Sequence, residues 1–307
     1  MTGPVLTDGD VFGALPTADV VALMELAFEE RAAGTLRAPP RWSLDVADGS
    51  LVFTVGAATG QVSAMGARIY ETVGRGADHT QLVAVFDSET GSFEGVVLGH
   101  AIGLLRTGGI GGVAVEHLAR ADADTVGVLG SGAQARSQLE AIAAVRDLDV
   151  ARVYSPTREH RDSFAAKLDG ILAADVCAVD DAEAAVRDAD VLVCATDAAE
   201  PVFEADWLAP GAHVSTLGPK FADAHEVPIA VAERADRLVT DSLPQTDSED
   251  RPWFLPTPDR ERLIELADVV AGAIPGRTAE DELTLFCSVG LAGTEVVLAD
   301  EILRRRG

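Results

Sequence analysis

Two hydrophobic periods divide the chain. Over Ala18 to Ala32 the apolar residues Val20, Leu23, Met24, Ala27 and Phe28 recur at helical spacing, with Thr17 as an N-cap candidate and Gly34 just past the end, which predicts a helix. From Trp42 to Val97 the pattern turns to short β-rich runs separated by Gly and Asp: SLVFTVGA, SAMGARIYETV, TQLVAVFD and GVVLG. DSETG between the last two predicts a hairpin turn, and the whole reads as an α+β region. After Arg106, a Gly-rich helix candidate covers Thr107 to Leu118, and TVGVLGSGAQARSQLEAIAAV then opens a strand, Gly turn and helix. Strand-like ARVYS, DVCAV, DVLVCAT, AHVSTLG and RLVTD alternate with helical SFAAKLDGI and AEAAVRDA. That alternation predicts an α/β doubly wound parallel sheet with helices on both faces. The Pro- and acid-rich LPQTDSEDRPWFLPTPD reads as a surface loop and ERLIELADVVAG as a helix, while the final helix, in EVVLADEILRRRG, is expected to return to the first domain.

Composition narrows the partners. Asp and Glu number 50 against 24 Lys and Arg, a formal net charge of -26, which disfavours nucleic acid and anionic membrane surfaces alike. The one basic run, Arg304 to Arg306, suits a helix C-terminus. Hydrophobic residues make up 48% of the 307 residues, enough for a globular chain of two domains. Only Lys167 and Lys220 are lysines, and with the acid excess this pattern suggests a halophile, since molar salt shortens the Debye length to about 3 Å and makes such a surface cheap; a high-GC genome is the alternative for the Arg bias, though not for the acid excess. The N-terminus lacks a basic and apolar leader, and the most apolar stretch, Gly95 to Leu105, stops at Arg106, short of the ~20 residues of a membrane span. A soluble, cytoplasmic chain is the expectation. Cys177, Cys194 and Cys287, odd in number and widely spaced, read as buried thiols rather than a disulfide frame or metal site.

Gly130-Ser131-Gly132-Ala133-Gln134-Ala135 forms a G-x-G-x-x-A turn between an apolar strand and a helix. The first Gly serves the tight turn, the second lets backbone approach a pyrophosphate, and Ala135 permits close packing at the positive helix end. The next strand ends in Ser155-Pro156-Thr157-Arg158, with no carboxylate at its tip for a ribose 2′-hydroxyl. Two hydroxyls and a guanidinium favour NADP(H), with NAD(H) possible and Arg158 otherwise a solvated first-turn residue.

Pro40-Arg41, Gly66-Ala67-Arg68, AVFDSETG, LLRTGG, VLGSGAQA, CATDAAEPVF, GAHVSTLGPK and PGRTAEDELTLFCSVGLA together resemble the ornithine cyclodeaminase/μ-crystallin family over nearly the whole chain. The resemblance implies a substrate-binding and dimerisation domain over 1–112 plus 288–307, an NAD(P)-binding Rossmann domain over 113–287, and a homodimer. It also implies hydride transfer at the C–N bond of a small carboxylate-bearing α-imino or α-amino acid, as in ketimine and Δ1-pyrroline-2-carboxylate reductases or alanine dehydrogenases. Carried over by position, Arg41, Arg68, Arg106 and Thr80 would bind substrate. Thr107, Gly130, Ser131, Gly132, Ala133, Gln134, Ser155, Thr157, Arg158, Ala195, Thr196 and Gly218 would bind cofactor, with no metal.

Two departures stand out. Arg68 replaces the family's Lys, and Lys220 replaces the Asp that cyclodeaminases and alanine dehydrogenases carry two residues after the Gly matching Gly218. An ammonium there could manage the proton of an imine reduction, whereas ornithine cyclodeamination would lack its carboxylate base. That cyclodeaminase and a non-catalytic NADP(H)-binding protein are the alternatives; His225 and Glu226 are secondary acid/base candidates, more readily structural.

Overall fold

The computed structural model describes residues 3–73, 81–248 and 251–306. The chain divides into two units, Met1–Gly109 with Gly290–Gly307, and Ile110–Val289.

The first unit is built on a seven-stranded sheet. Its strands run in the order Val5–Thr7, Phe93–Leu98, Leu82–Phe86, Ser63–Glu71, Gly49–Thr59 and Leu36–Arg37, with Trp42–Val46 also paired to Gly49–Thr59. Only the Val5–Thr7 pairing is parallel; DSETG joins an antiparallel hairpin, as expected. Along Gly49–Thr59 the residues Val52, Thr54, Gly56 and Ala58 point inward, while Val55 and Thr59 are exposed. The helices Thr17–Ala32 and Thr294–Arg306 pack together, and Thr294–Arg306 lies on the sheet. Gly56 permits this approach, because a Cβ there would fall 2.2 Å from the Gly293 Cα.

Two helix starts differ from the sequence reading. Thr17 is not an N-cap but the first helical residue; Pro16 (φ -58°) precedes it, and its carbonyl accepts the Asp19 and Val20 amides. The Gly-rich helix begins at Ala101, not Thr107, and runs to Leu118. The Asp8 carboxylate accepts the Ala101 amide at 2.8 Å, a cap delivered from far away in sequence and invisible to local pattern.

The second unit is an all-parallel eight-stranded sheet ordered Asp175–Ala178, Val150–Tyr154, Thr125–Leu129, Val191–Cys194, His213–Thr216, Thr284–Cys287, Arg237–Thr240 and Leu263–Glu265. The predicted helix ERLIELADVVAG therefore opens as this edge strand, and only Leu266–Val270 is helical. The LPQTDSEDRPWFLPTPD expectation is also corrected. It contains the helices Leu243–Asp247 and Thr257–Arg260, and Trp253, Phe254 and Leu255 are buried in the core. Three consecutive apolar side chains outweigh the polar composition around them. Among the described residues no helix is long and apolar enough to cross a membrane. Cys194 and Cys287 are buried and Cys177 half-buried, all as free thiols.

Candidate active site

In the first unit, strand register and two glycines assemble a buried charge cluster. Arg68 lies on the inward face of Ser63–Glu71, opposite Thr54 in the neighbouring strand, and stacks over the Tyr70 ring at 4.4 Å. Its Nε and Nη2 donate to Gln81 Oε1 at 3.0 and 2.6 Å, and its Nη1 donates to Glu295 Oε1 at 3.1 Å. The same oxygen lies 3.2 Å from Arg106 Nη2. Gly103 and Gly290 (φ +87°) give these guanidiniums room, since a Cβ would come within 3.0 Å of Arg68 Nη2 at the first and 2.7 Å of Arg106 Nη1 at the second. Burial opposes ionisation of Glu295, but Arg106 and then Arg68 outweigh it and hold its carboxyl below the usual range. Burial lowers Arg68; the Glu295 carboxylate works against this, and the like charge of Arg106 adds to it.

The cluster is short of acceptors. Arg106 Nε and Nη1 are buried without a hydrogen-bond partner, as is the Thr54 hydroxyl. Each such group costs about 1–3 kcal/mol unless something pairs with it. An acceptor-rich anion answers that deficit, and the guanidinium fork suits carboxylate and phosphate oxygens alike. Arg41 is half-buried just before the exposed strand Trp42–Val46, and Thr107 donates to the Gly103 carbonyl at 2.7 Å. Thr80 lies outside the described residues. Thr54, Gln81 and Glu295 were not anticipated. The only signals were a polar residue at an inward position of an apolar strand and a carboxylate on the closing helix.

In the second unit, the turn after Thr125–Leu129 has the backbone a dinucleotide requires. Gly130 has φ +118°, and a Cβ there would lie 2.3 Å from the Ala195 carbonyl oxygen. A Cβ on Gly132 would meet nothing within 4 Å, so space is open over the start of the helix Ala133–Ile142, while Ala135 is fully buried. Gln134 Oε1 is buried without a partner. Ser131 Oγ donates to Ser155 Oγ at 2.9 Å, and Ser155 Oγ in turn lies 3.4 Å from the Thr157 carbonyl. Arg158 is mostly exposed and sits 3.4 Å from Asp162, while the buried Arg161 donates to the Ser155 carbonyl at 2.9 Å. A cavity of about 340 Å³ beside the turn is lined by Ser131, Gly132, Arg136, His160, Ser163 and Lys167, among others. The sequence reading missed Arg136 and His160 and saw Lys167 only as a rare lysine.

Lys220 stands at the end of this sheet, buried, with Nζ donating to the Gly218 carbonyl at 2.7 Å. The segment misread as loop holds its backbone: the Phe254 amide donates to the Lys220 carbonyl at 3.0 Å, and the Ala222 amide to the Pro252 carbonyl at 2.8 Å. His225 is its register partner across a two-residue antiparallel pair, set edge-on to Phe254 at 5.6 Å. Burial lowers the His225 pKa, and its Nδ1 has no partner. Glu226 is fully committed. Its Oε1 accepts from Thr216 Oγ1 and the Leu217 and Gly218 amides, and its Oε2 from the amide and hydroxyl of Thr196. Such a carboxylate braces the ends of the Val191–Cys194 and His213–Thr216 strands, not an acid/base cycle. Burial pushes Cys287 up to about 12 against the field of Lys220, so it remains a thiol. No group of three or more His, Cys, Asp or Glu able to hold a metal occurs among the described residues.

Residues 3–305 match the model of the ornithine cyclodeaminase/mu-crystallin family. The chain belongs to this family. It is 32% identical over 225 residues to a Δ1-pyrroline-2-carboxylate reductase of Bacillus cereus, an alignment covering 71% of this chain and 68% of that protein. Its fold is similar to Thermococcus litoralis Δ1-pyrroline-2-carboxylate reductase in complex with NADH and L-proline, with TM-score 0.89, 28% identity and coverage of 98% and 96% of the two chains. It is also similar to an archaeal alanine dehydrogenase dimer with bound NAD, with TM-score 0.87, 25% identity and coverage of 99% and 96%.

Proposed function

We propose that this family member is an NAD(P)(H)-dependent oxidoreductase that reduces the C=N bond of a small α-imino carboxylate of the Δ1-pyrroline-2-carboxylate or ketimine type. The observation that carries the reading is the buried Arg68–Arg106–Glu295 cluster with donors on Arg106 that lack an acceptor. The relatives' names supply the substrate class, and the unmet donors supply a place for its carboxylate.

In this reading the first unit holds substrate and the second holds cofactor. Arg106 is the principal carboxylate ligand, since three N–H···O contacts already occupy Arg68; Arg68 contributes fixed charge, and Arg41 adds a third cation. Gly130 to Gln134 carry the pyrophosphate at the helix N-terminus, and Ala195, Thr196 and Gly218 line the rest of the cofactor path. The nicotinamide supplies hydride when bound. Lys220 holds the proton destined for the imine nitrogen, and its hydrogen bond to the Gly218 carbonyl keeps Nζ at the sheet end. Glu226 fixes Gly218 in turn.

NADP(H) is favoured over NAD(H). No carboxylate stands at the tip of Val150–Tyr154, where Ser155, Thr157 and Arg158 follow, and the adjoining cavity adds Arg136, His160 and Lys167 to Ser131. A homodimer accounts for the apolar outer face of the first unit, where Trp42, Leu44, Val55 and Phe86 are exposed and Val55 and Phe86 line a cavity of about 470 Å³. The acidic surface suits a cytoplasm of high salt.

The test is NADPH oxidation in molar KCl with Δ1-pyrroline-2-carboxylate, or with pyruvate plus ammonia or an amine. Turnover supports the reading. Intact NADPH binding with no turnover across this panel refutes it in favour of a non-catalytic cofactor-binding protein.

A further inference from the structure

The charge of the buried cluster restricts what can enter it. Two guanidiniums, with side chains 12% and 11% exposed, face one carboxylate that is 2% exposed. Glu295 places a single oxygen 3.1 Å from Arg68 Nη1 and 3.2 Å from Arg106 Nη2, so it neutralises one of the two positive charges and bridges both. Gln81, a neutral amide, takes the Nε and Nη2 donors of Arg68 and removes no charge. The three charged groups therefore carry one net positive charge together, and the unmet charged donors, Nε and Nη1, both sit on Arg106.

We propose that Glu295 makes the Arg68–Arg106 cluster selective for monocarboxylates, one ligand carboxylate neutralising its remaining charge while a second carboxylate on the same ligand gains no further charge from these three residues. The inference rests on the carboxylate-clamp reading given above and deepens it. One carboxylate brings the cluster to neutrality and supplies acceptors to Arg106. A dicarboxylate brings an extra anion toward a buried carboxylate, and an uncompensated charge in such surroundings is costly. Glu295 acts through the two arginines as a positioning and charge-setting residue.

Two small probes of nearly the same shape isolate charge from size: succinate, and succinamate, in which one carboxylate is a neutral amide. Their binding to the full chain saturated with NADP⁺ is measured by titration calorimetry. Wild type is expected to bind succinamate at least about tenfold more tightly than succinate. Glu295→Gln, which adds one net positive charge, brings the two within about threefold, and Glu295→Asp, which keeps the charge, restores the preference.

Equal binding of the two probes to wild type overturns the proposal, even if Glu295→Gln fails to fold. A preference that persists in folded Glu295→Gln overturns it too. Arg106→Gln tells the two levels apart. If succinamate does not bind, or binds equally well without Arg106, the clamp itself fails and the inference falls with it. If Arg106→Gln abolishes succinamate binding while wild type takes succinate equally well, only the charge selection fails.

Discussion

Glu226 Oε1 accepts the Gly218 amide at 2.6 Å, and Gly218 in turn offers its carbonyl to Lys220 Nζ at 2.7 Å, so a buried carboxylate fixes the partner of the one lysine in the second unit's core. The arrangement is tight. A Cβ on Gly218 would lie 2.6 Å from the Glu226 carboxyl and 2.3 Å from the Thr196 carbonyl oxygen.

Glu226→Gln keeps the shape and removes the charge that serves five donors. An amide cannot accept them all at both ends, and the variant should lose about 2–4 kcal/mol of stability in urea titrations. The rate of imine reduction should fall further than cofactor affinity does. Unchanged stability would show that the five hydrogen bonds contribute little.

Lys220 is tested by shape and by charge. Lys220→Met should leave NADPH binding, followed by fluorescence, within a few fold, while kcat for Δ1-pyrroline-2-carboxylate falls by about 10²–10⁴. Lys220→Asp restores the carboxylate of the family pattern. Gain of proline formation from ornithine in that variant would show that this position divides the two chemistries.

The cavity beside the glycine turn should read the cofactor phosphate. Lys167→Glu with Arg136→Gln is expected to weaken NADPH binding by on the order of tenfold or more and leave NADH nearly unaffected, because only NADPH brings a phosphomonoester to the site. Parallel titrations with the two cofactors check this. An equal loss for both would place these residues on the shared pyrophosphate instead.

His213 predicts acid sensitivity. It is fully buried between Thr284 Oγ1 at 2.8 Å and Ser215 Oγ at 3.0 Å, and burial, followed by the fields of Arg277 and Arg146, holds its pKa at about 3 against an ordinary 6.5. Its folded pKa is depressed, so the neutral ring stabilises the fold fully above pH 6.5, and that stability is lost as pH falls toward 3. The loss should approach about 1.4 kcal/mol per pH unit within this window. Asp300, which burial raises to about 6, gains its proton over part of the same range with the opposite sign. The difference between wild type and His213→Asn, measured by urea titration from pH 7 to 4, isolates the histidine.

Salt should act in the other direction from its usual effect on surface pairs. With a net charge of -26, self-repulsion opposes compaction at low ionic strength, so Tm is expected to rise as KCl goes from 0.1 M to molar levels at which the Debye length is about 3 Å. A flat or falling Tm would argue against adaptation to salt.

Features set by neighbouring residues could be read from the chain alone. The Gly130 turn is specified by the adjoining apolar strand, the glycines and the following helix, and the parallel α/β alternation follows from local period. Arg68, Arg106 and Lys220 were legible only as positions in family motifs, because composition does not distinguish a buried cation from a surface one. Trp253 to Leu255 were misread because prolines and acids surround them, and Leu263–Glu265 because a three-residue strand with only two apolar positions carries no period of its own.

What the tertiary structure decided is which charges meet. Arg68 and Glu295 are separated by 227 residues in sequence, and Asp8 caps a helix beginning 93 residues later. Pairings over such distances depend on strand register and on glycines that let backbone and guanidinium approach. The sequence determined that this chain has an α/β fold, a dinucleotide turn and a sparse set of cations. Burial then left the Arg68–Arg106–Glu295 cluster with one net positive charge and Arg106 with two donors that have no acceptor, because desolvated charges must be counted where they pack, not where they are encoded.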